Sequence, residues 1–176
     1  MNEIIKKNGI TFGIIGGIIS IAITLYAYLI DLTIFGSLWL LLFVVILYVV
    51  INIVLLSKTK KELNNNFSFK EAFTTFFISM VISVGMSVVF NIILFNVIDL
   101  ELAEKVKQVA MESTSNLMKK FGAPTSEIIK AVKEIEQSDN YSVGKQIQGL
   151  FMNIVVSSIF GLIFAAIFKS KPKQEF

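Results

Sequence analysis

Ala72–Ile98 reads AFTTFFISMVISVGMSVVFNIILFNVI, and its 27 residues carry no charged side chain. A helix needs about 20 predominantly apolar residues to cross a hydrocarbon core about 30 Å thick. Three more runs share this property: Asn8–Ile30, Leu32–Ser57 and Gln146–Phe168, with 23, 26 and 23 residues. Together the four hold 99 of the 176 residues. A soluble core of this size cannot hide so much apolar length, whereas a bilayer can. Only helices and closed barrels satisfy their backbone groups in lipid, and these runs lack the alternation of barrel strands. The expected fold is all-α: a polytopic membrane protein forming one membrane domain over residues 1–176. Its spans lie at about 9–30, 37–57, 69–98 and 146–168.

Composition narrows the chemistry. Apolar residues make up 55% and charged residues 16%, against about 25% charged in ordinary soluble domains. That excludes a soluble enzyme, a nucleic-acid reader and a disordered tail. The chain has no Cys, His or Arg, and all sixteen basic residues are Lys. Zinc, haem and iron–sulfur sites lose their usual ligands, disulfides are impossible, and no His is present to serve as a catalytic base. No cofactor and no metal are expected. An AT-rich codon bias accounts for the missing Arg without any functional reason. Lys58, Lys60 and Glu62, or Glu101 and Glu104, are charges at the membrane surface that in principle suit acid–base work. No nucleophile accompanies them, so no enzyme is expected.

Lysine placement sets an expected orientation. Lys6 and Lys7 precede the first span, Lys58, Lys60, Lys61 and Lys70 fill the second connection, and Lys169, Lys171 and Lys173 follow the last span. The positive-inside rule puts these on the cytoplasmic side, with both termini, and the bilayer would be a bacterial inner membrane. The apolar stretch after Lys7 is too long for a signal peptide and is expected to be retained. The opposite side carries Asp31 in a tight turn flanked by Tyr26, Tyr28 and Trp39, and then residues 99–145, where seven lysines meet eight acids. The net charge of +3 thus reflects lysines around a membrane rather than a nucleic-acid surface.

Two amphipathic stretches fill residues 99–145. Leu102, Val106, Val109, Leu117 and Phe121 share one face of a helix over Leu100–Phe121, which Gly122 and Pro124 stop. Ile128, Val132 and Ile135 mark a shorter helix at about Ser126–Gln137. The pair reads as an outer amphipathic hairpin between helices 3 and 4 that caps the bundle, with a partner-binding surface as the alternative. At the entry to the third span, Ser68-Phe69-Lys70-Glu71 has the S-x-x-E form of a capping box, after the turn residues Asn64-Asn65-Asn66.

Within the spans, small and polar residues recur every four positions. They are Gly9, Gly13 and Gly17 in the first span, continued by Ser20 and Thr24. The third has Thr75, Ser79, Ser83, Ser87 and Asn91, and the fourth has Gly149, Asn153, Ser157, Gly161 and Ala165. The second has only a lone Asn52. Small residues let helix backbones approach, and hydroxyls and amides bond across the contact. Spans one, three and four are therefore expected to form the tight core, with span two toward lipid. Asn91 and Asn153 fall at similar depth and are the expected interhelical hydrogen bond. No Asp, Glu, Lys, Arg or His falls within the four charge-free runs, which argues against ion-coupled pumping.

The four spans, the entry Phe67-Ser68-Phe69-Lys70-Glu71-Ala72-Phe73, the exit Ile98-Asp99 and the Lys-rich tail after Gly161–Phe168 resemble one family. It is the bacterial, largely Bacteroidota, group called domain of unknown function 4199. The resemblance implies an integral protein of the bacterial inner membrane with no assigned activity, and it supplies no catalytic residues. The leading functional expectation is a non-enzymatic membrane protein that associates with itself or with a partner membrane protein. The alternative is a small channel or transporter subunit with a polar pathway along helices 3 and 4.

Overall fold

The computed structural model describes residues 2–170, so Lys171 and Lys173 lie outside the described residues. Six helices follow one another: α1 (Glu3–Ile30), α2 (Leu38–Glu62), α3 (Phe69–Ile93), α4 (Leu102–Lys120), α5 (Thr125–Glu136) and α6 (Val143–Phe168). A 3₁₀ turn, Leu32–Gly36, joins α1 to α2, and a π-helical turn, Leu94–Ile98, prolongs α3. The helices α1, α2, α3 with its π turn, and α6 are long and apolar enough to cross a membrane. The fold is all-helical among the described residues, and α1, α2 and α3 outrun their charge-free stretches. In α2 the extension is Lys58–Glu62, whose lysines sit where the helix dipole favours cations.

Local sequence explains where the helices begin and end. Asn2 caps α1 by accepting the Ile4 N–H at 2.9 Å. Ser37 caps α2 through the Leu40 N–H at 3.4 Å. At α3 the capping box forms in both directions: the Glu71 N–H donates to Ser68 Oγ at 3.3 Å and the Ser68 N–H to Glu71 Oε2 at 2.8 Å. The turn before it places Asn64 and Asn65 at φ 52° and 61°, a left-handed region that Asn tolerates better than most residues. Gly122, at φ 74°, ends α4 in the same region.

The helix α3 is the hub. α1 packs along it, α6 packs on another of its faces, and α2 touches α1, α3 and α6 only lightly. Spans one, three and four therefore do not form a mutual triangle, since α1 and α6 each rest on α3 rather than on each other. At the end of the bundle that holds the termini, Leu56, Phe67, Ala72, Phe76, Met80 and Ala165 form a buried cluster. Ser170 straps this end together: its Oγ accepts the Phe67 N–H at 3.0 Å and donates to the Asn65 carbonyl, and its N–H donates to the Phe67 carbonyl at 2.7 Å.

At the opposite end, α4 and α5 pack as a hairpin between α3 and α6 in sequence, and α4 also lies on the 3₁₀ turn. Leu102 and Val106 of α4 join Leu94 and Phe95 of the π turn in a second buried cluster. Gly36 permits the close approach, since a Cβ there would collide with the Ser113 side chain.

Candidate functional site

The small-residue seam of α1 is spent inside the molecule, against α3. A Cβ at Gly9 would lie 2.9 Å from Ile78 Cβ and 3.2 Å from the Thr75 carbonyl oxygen. At Gly13 it would lie 2.8 Å from the Ser79 carbonyl oxygen, and at Gly17 2.6 Å from Met86 Sδ. Thr75, Ser79 and Ser83 are correspondingly buried. Thr75 Oγ1 donates to the Glu71 carbonyl of its own helix at 2.8 Å, and Ser20 Oγ donates to Ser87 Oγ between α1 and α3 at 2.8 Å. These contacts put the backbones of α1 and α3 in near-direct contact.

The seam of α6 behaves differently along its length. Near the terminal end Gly161 receives Phe76, whose Cδ1 would be 2.6 Å from an added Cβ, and Ala165 is fully buried. Nearer the hairpin end a Cβ at Gly149 meets nothing within 4 Å, and Asn153 is exposed. The bond expected between Asn91 and Asn153 is not made. Asn153 Oδ1 accepts from Ser157 Oγ of its own helix at 3.0 Å, and Asn91 Oδ1 is buried without a donor. The physical reason is that α6 packs closely at Gly161 and Ala165, whereas Asn153 is exposed and its amide oxygen is taken by Ser157 of the same helix.

The gap is a chamber of about 680 Å³ bounded by α1, α2, α3 and α6. From α3 it is lined by Ser79, Ser83, Ser87 and Asn91, from α6 by Gly149, Asn153 and Ser157, and from α2 by Tyr48 and Asn52. Tyr48 Oη donates to the Gly16 carbonyl at 2.8 Å, and Asn52 Nδ2 donates to the Tyr48 carbonyl at 2.7 Å. Gly16 keeps this wall thin, since a Cβ there would lie 2.7 Å from Ser83 Oγ. Among the described residues, none that lines the chamber is charged.

The hairpin end of the chamber is closed by Tyr141. Its ring stacks on Phe95 with centroids 4.6 Å apart, and its carbonyl accepts from Asn96 Nδ2 at 3.1 Å and Gln146 Nε2 at 2.7 Å. The π turn supports this: the Asp99 N–H bonds back five residues to the Leu94 carbonyl at 3.0 Å, and the extra residue turns Phe95 and Asn96 toward Tyr141. Burial pushes the Tyr141 hydroxyl above its usual value. Beyond the stack lies a smaller cavity of about 230 Å³ under α4, also lined by Asn91, Phe95 and Tyr141.

At the other end sits a polar contact that the four-residue stripes did not include. Asn8, only 2% exposed, donates through Nδ2 to Thr59 Oγ1 at 3.2 Å and to Glu62 Oε2 at 2.7 Å. It ties α1 to α2. The available signal was a lone amide at the head of an apolar run, next to Gly9. Outside the membrane segments, Asp31 has its carboxyl held below the usual range by the Thr33 N–H, which donates to Oδ1 at 2.8 Å.

Comparison with known proteins adds a family and no activity. Residues 11–170 match the family described as "Protein of unknown function (DUF4199)". No curated protein and no solved structure matches. The chain belongs to that family and is a multi-pass membrane protein.

Proposed function

We propose that this member of the DUF4199 family is a non-enzymatic membrane protein that holds an uncharged molecule inside the bilayer, as a small channel or transporter subunit. The observation that carries the reading is the chamber of about 680 Å³ bounded by α1, α2, α3 and α6, whose mostly apolar lining carries hydroxyls and amides and, among the described residues, no charge. Polar groups at membrane depth are costly unless they face a partner or a wet cavity. Here Ser83, Ser87, Asn91, Asn153 and Ser157 share one cavity. Association as the primary role has less support, because the glycines of α1 are already consumed against α3.

The absence of Cys gives a clean test. Ser87→Cys in liposomes should react with a small water-soluble maleimide, and Ser157→Leu should slow that reaction and any solute flux without unfolding the protein. A Cys at Ser87 that stays inert to the maleimide removes this reading.

One observation favours a second reading, association with another copy or a partner protein. Gly149 has open space beside it and Asn153 is exposed, so the hairpin half of α6 could receive a neighbouring helix. Crosslinking in native membranes from Gly149→Cys should then give one discrete product. We place both termini on the cytoplasmic side of a bacterial inner membrane, on the strength of the lysines flanking α1, α2, α3 and α6. A reporter fused after Glu112 should prove non-cytoplasmic.

A further inference from the structure

We propose that the occupant of the chamber is an uncharged amphiphile drawn from the bilayer, a lipid with a hydroxyl-bearing head and apolar chains, seated with its head toward the hairpin end. The inference rests on the reading that the chamber holds a molecule, and it names that molecule's chemistry. The first support is a gradient of polarity. The helices α3 and α6 run antiparallel, so the amides of Asn91, Gln146 and Asn153 gather at the hairpin end beside Phe95 and Tyr141, while Phe76, Met80, Phe160 and Phe164 line the far end with Ser79. The amides of α3 and α6 thus concentrate at one end, and the other end is mainly apolar. The 15 residues from Phe76 to Asn91 span roughly 22 Å of helix, more than half of a hydrocarbon core about 30 Å thick. That exceeds the depth of one leaflet, about 15 Å, so acyl chains seated here cross the bilayer midplane.

The second support is charge. Among the described residues no Lys, Asp or Glu lines the chamber, and an ionised head taken out of water without a counter-charge carries a heavy desolvation penalty. A phosphate-bearing lipid is therefore a poor fit. The third is the kind of polar group at the head end. Asn91, Gln146 and Asn153 all line it with carboxamides, and a hydroxyl, which both donates and accepts, can pair with either end of an amide. The fourth is access. The helices α2 and α6 touch only lightly, so the chamber opens sideways toward lipid between them.

The test uses the full chain in phosphatidylcholine nanodiscs containing a diazirine-bearing diacylglycerol, or a diazirine-bearing phosphatidylcholine with the same chains. After irradiation, mass spectrometry should place the diacylglycerol label on chamber-lining residues of α3 and α6, competed by unlabelled diacylglycerol. The phosphatidylcholine probe should label them far less. Asn91→Leu should lower labelling about fivefold, the expected loss for one hydrogen bond. Ser157→Trp, which fills the chamber from α6, should abolish it, so the proposal is still judged if Asn91→Leu fails to fold.

Equal labelling by the two probes would overturn the neutral head. Label confined to outward residues such as Trp39 and Phe151, or unchanged in a folded variant, would overturn the seat. A maleimide-reactive Ser87→Cys protein that takes no diacylglycerol label would overturn the lipid and spare the chamber. An inert Cys with no label would overturn both.

Discussion

At the scale of single residues, spacing identifies small positions but does not say which neighbour each one serves. Gly13 and Gly149 stand in similar four-residue stripes, yet one presses on a backbone carbonyl and the other faces open space. Gly13→Ala should therefore lower the melting temperature in detergent, because overpacking costs about 1–3 kcal/mol. Gly149→Ala should leave it unchanged or raise it by the helix propensity of Ala, about 1 kcal/mol. Tyr141 sets a pH limit. Its hydroxyl has a raised pKa from burial, so the fold favours the neutral ring. That contribution is complete below the ordinary value of 10.0 and is lost as pH rises through the raised one. Thermal unfolding should steepen above about pH 10 in the natural chain and less so in Tyr141→Phe. Asn8 was not legible as a cross-helix donor, because its acceptors lie more than fifty residues away at Thr59 and Glu62.

At the scale of elements, the spans were legible from charge alone, since lipid tolerates few ionised groups and the runs end where charges resume. The α3 start was legible too, because a capping box is a local pattern. The strap at Ser170 was not, because it joins residues more than a hundred positions apart. Both features converge on adjacent backbone groups, with Ser170 taking the Phe67 N–H and Glu71 taking the Ser68 N–H. Each loss should cost about 0.5–2 kcal/mol. The double variant Ser68→Ala with Ser170→Ala should be non-additive by at least about 0.5 kcal/mol, as expected for neighbours. Unfolding of the two single variants and the double variant checks this. The π turn was not readable from sequence at all, since Leu94–Ile98 continues the apolar pattern of α3 without a Gly or Pro to mark it.

At the scale of the whole molecule, the outward surface is unmistakably a lipid surface. Trp39 is 83% exposed, Ile46 62%, Phe151 64% and Ile167 68%. The protein should stay monodisperse only with detergent or lipid present, and size-exclusion chromatography after detergent removal should show aggregation. The chamber lay beyond sequence reading because residue spacing does not say which small positions meet a neighbour, as Gly161 does, and which face open space, as Gly149 does. The central place of α3 has a further consequence for how the protein is made. When the third span leaves the ribosome, the broadest helix–helix interface of the finished molecule already has both its halves, although α2 separates them in the chain. The nascent protein can thus secure α1 to α3 first, leaving α2 displaced to one side. The last helix then docks onto a preformed platform, and its arrival encloses the chamber.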